Sequence, residues 1–300
     1  MNSVITKIND LKKKRNAVIL AHNYTIPDVQ DIADFTGDSL ELSRRAANVK
    51  EDVIVFCGVK FMAETAKILS PQKTVLMPDK ESGCPMADMI SAEDVRKLKK
   101  EHPGSVVVCY VNSNADVKAE SDIACTSANA VRVVDSIPQQ TDVIFIPDRY
   151  LGKFVENNLN RKLILWNGYC PTHMKITPGK IKRARELFPD AKVLVHPECA
   201  PDTIKAADMA LSTGQMKKYI SGAPAGRYLI GTEIGMIYPL SKFGSGREII
   251  RISDDITCPN MKLNNLEKII WSLEDNKYEI KLDAEIINRA KACIEKMIKI

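Results

Sequence analysis

The chain has 300 residues, 45% of them hydrophobic and 27% charged, and its formal net charge at pH 7 is +5. The lysines and arginines are scattered along predicted helices and form no basic arm, so the composition does not indicate nucleic-acid binding. No apolar run approaches the ~20 residues of a membrane span, and the N-terminus lacks the hydrophobic region of a signal peptide. We therefore expect a cytoplasmic protein with neither a membrane nor a nucleic-acid partner.

Helices and apolar strands alternate along the chain. Apolar spacing predicts helices over 3–14, 91–101, 178–188 and 282–299. The segments between these helices contain apolar, β-branched runs that are typical of buried strands, at 17–21, 52–56, 74–78, 106–112, 142–146, 162–166, 193–198, 227–231 and 248–252. Strands that alternate with helices predict parallel sheets covered by helices on both faces.

Three cysteines share one sequence context. They occur as GCPMA at Cys84, YCPTH at Cys170 and TCPNM at Cys258, each a few residues after a strand-like run. They lie 86 and 88 residues apart. One Cys-Pro pair is a weak signal, but three at nearly equal spacing indicate an internal repeat.

The same spacing recurs among polar residues that follow apolar runs. The matched sets are His22, Tyr110 and His196 at the strand tips; Tyr24, Asn112 and Glu198 two positions later; Asp34, Asp122 and Asp208; and the hydroxyls Ser39, Ser127 and Thr213. The asparagines alone are explained by turn chemistry, but two histidines and a tyrosine at matched tips favour a site. The chain is therefore predicted to contain three copies of one unit of about 85–90 residues.

The predicted fold is α/β, with three pseudo-threefold-related α/β/α sandwich units whose parallel sheets surround a central site. The predicted units are 1–87, 88–173 and 174–262. A helical extension, 263–300, follows them, and we expect its helix 282–300 to pack back on the first unit. Because the carboxyl ends of parallel strands form one rim where ligands of α/β proteins bind, the polar tips and Cys-Pro loops are predicted to face one site.

The cysteines are predicted to have two kinds of role. Cys57, Cys109, Cys125 and Cys293 are interpreted as core residues, whereas the three Cys-Pro cysteines are candidate metal ligands. Three thiolates from separate loops are too few for a closed structural zinc site, but they suit an iron–sulfur cluster in which one iron has no protein ligand. Such an iron can act on substrate as a Lewis acid. Zinc remains an alternative, with His173 as the fourth ligand.

Several motifs together resemble those of the quinolinate synthase family. They are AHNY at 21–24, GDS at 37–39, FMAETAKIL at 61–69, YVNS at 110–113, TSANAV at 126–131, HPEC at 196–199, STGQM at 212–216 and GTEIGM at 231–236. The resemblance runs from about residue 4 to the C-terminus without a large insertion. It implies three α/β units around a 4Fe-4S cluster, with Cys84, Cys170 and Cys258 as ligands and one open iron.

The resemblance also implies a reaction. Quinolinate synthases condense iminoaspartate with dihydroxyacetone phosphate to give quinolinate, with loss of phosphate and two waters, in NAD biosynthesis. An enzyme that makes iminoaspartate would then be a candidate partner.

The matched tips supply acid–base groups and hydrogen-bond donors for this chemistry. Glu198 is the predicted general base, acting directly or through Tyr24, and His196 and Tyr110 are further catalytic candidates. The predicted substrate-binding residues are His22, Ser39, Tyr110, Asn112, Ser127, His173, His196, Glu198, Ser212 and Thr213. Glu233 in GTEIGM is consistent with either a helix cap or a site residue.

Two other functions stay open from the sequence. The first is another cluster-dependent hydro-lyase of the aconitase chemical type, acting on a different hydroxy acid. The second is a non-enzymatic sensor or carrier that binds a cluster. The number of hydrogen-bonding side chains around the open iron separates a carrier from an enzyme, because a carrier needs few.

Overall fold

The fold contains three four-stranded sheets, each flanked by helices. The computed structural model describes residues 2–244 and 246–300. All three sheets have the same strand order. The second strand of the unit lies at one edge, and the first, third and fourth strands follow it in that order across the sheet. All strand pairings within these sheets are parallel. The predicted α/β class and its threefold repeat are confirmed.

Each unit alternates helices with strands. The first contains α1 (Asn2–Arg15), β1 (Ala17–His22), α2 (Pro27–Ile32), β2 (Phe35–Gly37), α3 (Ser39–Ala47), β3 (Val53–Cys57), α4 (Lys60–Leu69) and β4 (Thr74–Leu76). The second contains α5 (Ala92–Glu101), β5 (Val106–Tyr110), α6 (Ala115–Ala119), β6 (Ile123–Cys125), α7 (Ala130–Asp135), β7 (Val143–Ile146), α8 (Arg149–Leu159) and β8 (Ile164–Leu165). The third contains α9 (Pro178–Leu187), β9 (Lys192–Val195), α10 (Pro201–Ala206), β10 (Met209–Ala210), α11 (Thr213–Gly222), β11 (Gly226–Gly231), α12 (Ile237–Ser241) and β12 (Arg247–Arg251).

One strand of each sheet was not predicted. The sequence analysis predicts no strand between the first strand of a unit and its middle strand. The structure places a short helix there, followed by the edge strands β2, β6 and β10. These strands have only two or three residues, too few for an alternating pattern to be visible in the sequence.

The repeat is visible in one hydrogen bond that all three units make. Asp34 accepts a hydrogen bond from the backbone nitrogen of Ile19 at 2.8 Å. Asp122 and Asp208 accept the equivalent bonds from Val107 and Val193 at 2.8 and 2.7 Å. Each aspartate thereby ties the edge strand of its unit to the neighbouring buried strand. The three aspartates that align in sequence therefore have the same structural role.

Helix caps place two of the predicted hydroxyls. The side chain of Asp38 accepts hydrogen bonds from the backbone nitrogens of Leu40 and Glu41, so α3 begins at Ser39. Ser212 caps α11 in the same way through the backbone nitrogen of Gln215, so this helix begins at Thr213. Such caps satisfy backbone donors that have no partner within the helix.

The C-terminal extension forms two helices, α13 (Leu266–Asp275) and α14 (Ala284–Lys299). The first packs against α1, where Lys7 pairs with Glu274 at 2.8 Å. The second contacts both the first and the second unit. Arg44 donates to the carbonyl of Ile298, and Asn129 donates to the carbonyl of Met297. The sequence placed this helix on the first unit alone, because apolar spacing shows that a face is buried but not against what. The domain limits themselves stay a prediction.

Buried apolar strands form the core of each sheet. All residues of β1 and β3 are buried, as are those of β7, which agrees with their continuous apolar sequences. Across the described residues, none of the helices combines the length and the apolar character that crossing a membrane requires.

Candidate functional site

A cavity of about 270 Å³ lies where the carboxyl ends of the three sheets meet. Its lining contains residues at or just after strand ends in every unit. The lining includes nearly all of the residues predicted from the sequence: His22, Tyr24, Ser39, Cys84, Tyr110, Asn112, Ser127, Cys170, His173, His196, Glu198, Thr213 and Cys258. Ser212 is the exception, since it is fully buried as the cap of α11 and does not line the cavity.

The three Cys-Pro cysteines differ from the others in exposure. Cys84, Cys170 and Cys258 are half-buried and line the cavity, whereas the remaining five are buried. Burial raises the pKa of the Cys84 thiol to about 12, and the charge of Cys258 adds to this rise. Burial, then the charge of Glu198, raises the pKa of Cys170, with Cys84 contributing. All three thiols line one cavity, and their donor set fits one shared metal cofactor.

A second group of possible ligands overlaps the first. Single ligand atoms of Cys170, His173 and Glu198 all lie within 4.8 Å of one another. Nδ1 of His173 is 3.2 Å from Sγ of Cys170. This group contains one of the three Cys-Pro cysteines and the His173 of the zinc alternative, with Glu198 in addition, so that alternative stays open at this point.

Glu198 is the centre of a buried acid–base cluster. Its Oε2 lies 2.6 Å from Nδ1 of His173, and its Oε1 accepts a hydrogen bond from the hydroxyl of Tyr110. Burial alone would raise the pKa of this carboxyl, but its contact with the His173 imidazole and the hydrogen bonds from His173 and Tyr110 lower it well below its usual value. The carboxylate is therefore ionised. Its direct phenol partner is Tyr110, not the Tyr24 suggested by the sequence.

The strand-tip histidines of the first and third units have the same local geometry. Nδ1 of His22 accepts a hydrogen bond from the backbone nitrogen of Tyr24 at 3.1 Å, and Nδ1 of His196 accepts one from that of Glu198 at 3.3 Å. Burial lowers the pKa of each ring to about 3, and His173 adds to the effect at His196. Both rings are thus neutral near pH 7, and these hydrogen bonds assign the remaining proton to Nε2. Each ring can donate one hydrogen bond.

The two cavity tyrosines keep their protons. Burial, followed by the charge of Glu198, raises the pKa of Tyr24 and of Tyr110 well above the ordinary value. The hydroxyl of Tyr24 lies 2.5 Å from Oγ1 of Thr232. Both phenols are therefore hydrogen-bond donors or proton carriers at neutral pH.

Asn112 has a buried oxygen whose partner is missing. Its Oδ1 accepts no hydrogen bond from any described residue, although Asn112 lines the cavity. An unpartnered buried polar atom costs free energy unless a ligand or water satisfies it. Together with the hydroxyls of Ser39, Ser127 and Thr213, Asn112 gives this cavity polar groups from all three units.

Sequence reasoning missed three residues near the site and left a fourth open. Asp38 lines the cavity as the cap of α3, and the GDS motif contains it. Thr232 and Lys262 both contact Tyr24 from within the predicted third unit. Glu233 lines the cavity and also caps the turn at Gly235, so both interpretations of this residue hold. The GTEIGM motif contains Thr232 and could have indicated it, but no motif around Lys262 indicated the contacts that Lys262 makes.

Three α/β units that hold three cysteines and a buried carboxylate–imidazole cluster around one cavity define an enzyme with a candidate metal centre. Comparison with known proteins identifies the family. Residues 6–299 match the family model described as Quinolinate synthetase A protein. The chain belongs to the quinolinate synthase family, and this family implies a 4Fe-4S cluster.

The curated relatives match over nearly their whole length. The chain is 52% identical over 294 residues to a quinolinate synthase of Dehalococcoides mccartyi, covering 98% of this chain and 97% of that protein. It is 49% identical over 299 residues to the quinolinate synthase of Geobacter metallireducens, covering 100% and 98%. It is 48% identical over 297 residues to that of Methanosarcina barkeri, covering 99% and 97%.

Proposed function

We propose that the chain condenses iminoaspartate with dihydroxyacetone phosphate to quinolinate, releasing phosphate and two waters. The observation that supports this most strongly is the meeting of three Cys-Pro loops and the Glu198 cluster in one cavity, in a chain that matches the family throughout. A cytoplasmic location and supply of iminoaspartate by a separate enzyme belong with this proposal.

Cys84, Cys170 and Cys258 would hold three irons of a 4Fe-4S cluster and leave the fourth iron open. Their position on three separate loops around one cavity supports a shared cluster rather than three separate sites. When bound, a cluster with an open iron supplies a Lewis acid that polarises a substrate oxygen. His173 would then serve the carboxylate and not the metal, because its Nδ1 is closer to Glu198 than to Cys170.

Hydrogen-bond donors from the three units would bind the anionic groups of the substrates. Nε2 of His22 and of His196 would each donate one hydrogen bond, as would Ser39, Ser127 and Thr213. Asn112 would use its amide nitrogen as a donor and its unpartnered Oδ1 as an acceptor. Ser212 would act only through the helix that it caps, which places Thr213.

The Glu198 cluster would move the protons. Forming the pyridine ring requires removal of protons from carbon and their return to leaving oxygens. Glu198 is an ionised carboxylate with Tyr110 hydrogen-bonded to one oxygen and His173 close to the other, so it can accept a proton directly or through the phenol of Tyr110. Tyr24 lines the same cavity and would donate from the opposite unit.

The test is product formation by anaerobically purified protein. Iminoaspartate is generated from oxaloacetate and ammonia, dihydroxyacetone phosphate is added, and quinolinate and phosphate are quantified. Equal amounts of quinolinate and phosphate, in excess of the enzyme, would support the proposal. An intact cluster without quinolinate, but with dehydration of a hydroxy acid, would indicate the alternative hydro-lyase. An intact cluster with no turnover of either kind would indicate a sensor or carrier.

A further inference from the structure

Thr232 lies between two side chains of the site without lining the cavity itself. It follows β11 and is 2% exposed. Its Oγ1 is 2.5 Å from the hydroxyl of Tyr24 and 2.9 Å from Nε2 of His173. Tyr24 comes from the first unit and His173 from the loop after Cys170, so one hydroxyl of the third unit joins side chains of the other two.

A threonine hydroxyl is suited to this position. It has one donor and two acceptor sites, so it can accept from Tyr24 and donate to the imidazole at the same time. Among the described residues, the hydroxyl of Tyr24 and Nε2 of His173 have no other hydrogen-bond partner. The continuous series of contacts runs from Tyr24 through Thr232 and His173 to Glu198.

Glu233, the residue after Thr232, holds the backbone of Tyr24 through Lys262. Nζ of Lys262 donates to the carbonyl of Tyr24 at 2.5 Å and to Oε2 of Glu233 at 3.0 Å. Glu233 is fully buried and also accepts from the backbone nitrogen of Cys258 at 3.1 Å. A Cβ on Gly235 would lie 2.8 Å from Nζ of Lys262 and from the carbonyl oxygen of Tyr24, so only glycine leaves room for this bridge.

We propose that Thr232 is a positioning residue for the reaction, which fixes the phenol of Tyr24 relative to the His173–Glu198 pair. Glu233 and Lys262 fix the backbone of Tyr24 in the same orientation. This inference rests on the proposed function, because it needs Tyr24 to face the substrates. It adds a residue outside the cavity lining to those that the reaction depends on.

The experiment compares Thr232→Val with Thr232→Ser. Valine has the shape of threonine without the hydroxyl, and serine keeps the hydroxyl. Since a small misplacement of a reacting group costs up to about 100-fold, we expect Thr232→Val to lower kcat about 10- to 100-fold with KM changed only a few-fold. Thr232→Ser should restore kcat to within a few-fold of the parent. Iron and sulfide content should be equal in all three proteins.

Thr203→Val is the matched control. Thr203 is also fully buried in the third unit, and its hydroxyl donates to the carbonyl of Ile176 at 2.9 Å, outside the cavity lining. This variant should lower the melting temperature and leave kcat near that of the parent. If it lowers kcat as much as Thr232→Val does, general loosening of the third unit explains both and the inference is wrong.

A double-mutant cycle with Tyr24→Phe separates positioning from structure. In the Tyr24→Phe background the hydroxyl that Thr232 orients is gone, so adding Thr232→Val should cost much less than it does in the parent. An undiminished loss in that background would overturn the inference, as would normal kcat for Thr232→Val in the parent. Either result leaves the proposed function standing, whereas a parent that forms no quinolinate would refute the proposed function itself.

Discussion

Nδ1 of His173 lies 2.6 Å from Oε2 of Glu198 and 3.2 Å from Sγ of Cys170. The loop that carries one candidate metal ligand therefore also carries the imidazole that faces the carboxylate. Both His173 and Glu198 have side chains that are only 3% exposed, so water does not screen this contact. A change at the Cys170 loop is expected to disturb both the metal centre and the acid–base cluster.

Glu198→Gln should lower turnover sharply without loss of the metal centre. Glutamine keeps the shape of the side chain but removes the basicity that a proton acceptor needs. Loss of a positioned acid–base group lowers the rate by about 10²–10⁴-fold. Steady-state quinolinate formation by anaerobic samples, normalised to iron content, measures the effect.

Glu156→Gln is the control for this variant. Glu156 lies on α8 and accepts a hydrogen bond from the backbone nitrogen of Leu163 at 2.8 Å, outside the cavity lining. It should keep turnover near that of the parent. Turnover by Glu198→Gln within a few-fold of the parent would assign the base to another residue.

His22→Ala should weaken the use of substrate while the fold survives. His22 ends β1 at the cavity, and its Nε2 is available to donate to an anionic group. A hydrogen bond to a charged group is worth about 1.5–3 kcal/mol, so kcat/KM should fall about 10- to 100-fold. His102→Ala, at the end of α5 and outside the cavity lining, is the control. A large fall in melting temperature with normal turnover per cluster would make His22 a structural residue.

The neutral histidines predict how stability depends on pH. His22 and His196 take up a proton in the unfolded chain below the ordinary pKa of 6.5, but in the folded protein only below about 3. Between these values the unfolded state binds more protons. The free energy of unfolding therefore falls as pH falls through this window, by up to about 1.4 kcal/mol per pH unit for each ring.

Urea unfolding at several pH values from 7.5 down to 5 measures this dependence. Samples of the parent and of His22→Gln should have equal iron content. Acid should destabilise the parent more steeply than the variant, because the variant lacks one of the two rings. Equal slopes for both proteins would show that His22 does not contribute in this window.

Much of the site could be predicted because the repeat makes chemistry visible in the sequence. Cys84, Cys170 and Cys258 stood out by their shared Cys-Pro context and their nearly equal spacing, and the structure places all three at one cavity. The alignment of Asp34, Asp122 and Asp208 also corresponds to one hydrogen bond that each unit makes. Residues repeated in sequence occupy repeated positions in space, so a repeat predicts which side chains meet.

Contacts between different units could not be predicted in this way. Thr232 and Lys262 contact Tyr24 from distant parts of the chain, and no local sequence pattern predicts these contacts. Ser212 was predicted to bind substrate, but its hydroxyl caps α11. A short motif does not show which of two neighbouring hydroxyls faces the cavity, because the geometry of the helix cap determines this.

Serine variants of the cysteines should fall into two groups. Cys84→Ser, Cys170→Ser and Cys258→Ser should each prevent stable cluster assembly. Cys57→Ser, Cys109→Ser and Cys125→Ser should keep the iron, since these residues are fully buried away from the cavity lining. Each buried serine is expected to cost about 1–3 kcal/mol of stability. Iron analysis of all six proteins makes the comparison, and loss of iron from a core variant alongside retention in a Cys-Pro variant would contradict the assignment.

The most direct test of a cluster held at the meeting point of three repeat units is the metal and sulfide content of the parent protein. Protein purified and reconstituted without oxygen is analysed for iron, acid-labile sulfide and zinc, and its visible absorption spectrum is recorded. We predict about four iron and about four sulfide per chain, with a broad iron–sulfur charge-transfer band. About one zinc per chain without sulfide, or no charge-transfer band after reconstitution, would contradict the cluster and favour the zinc site that includes His173.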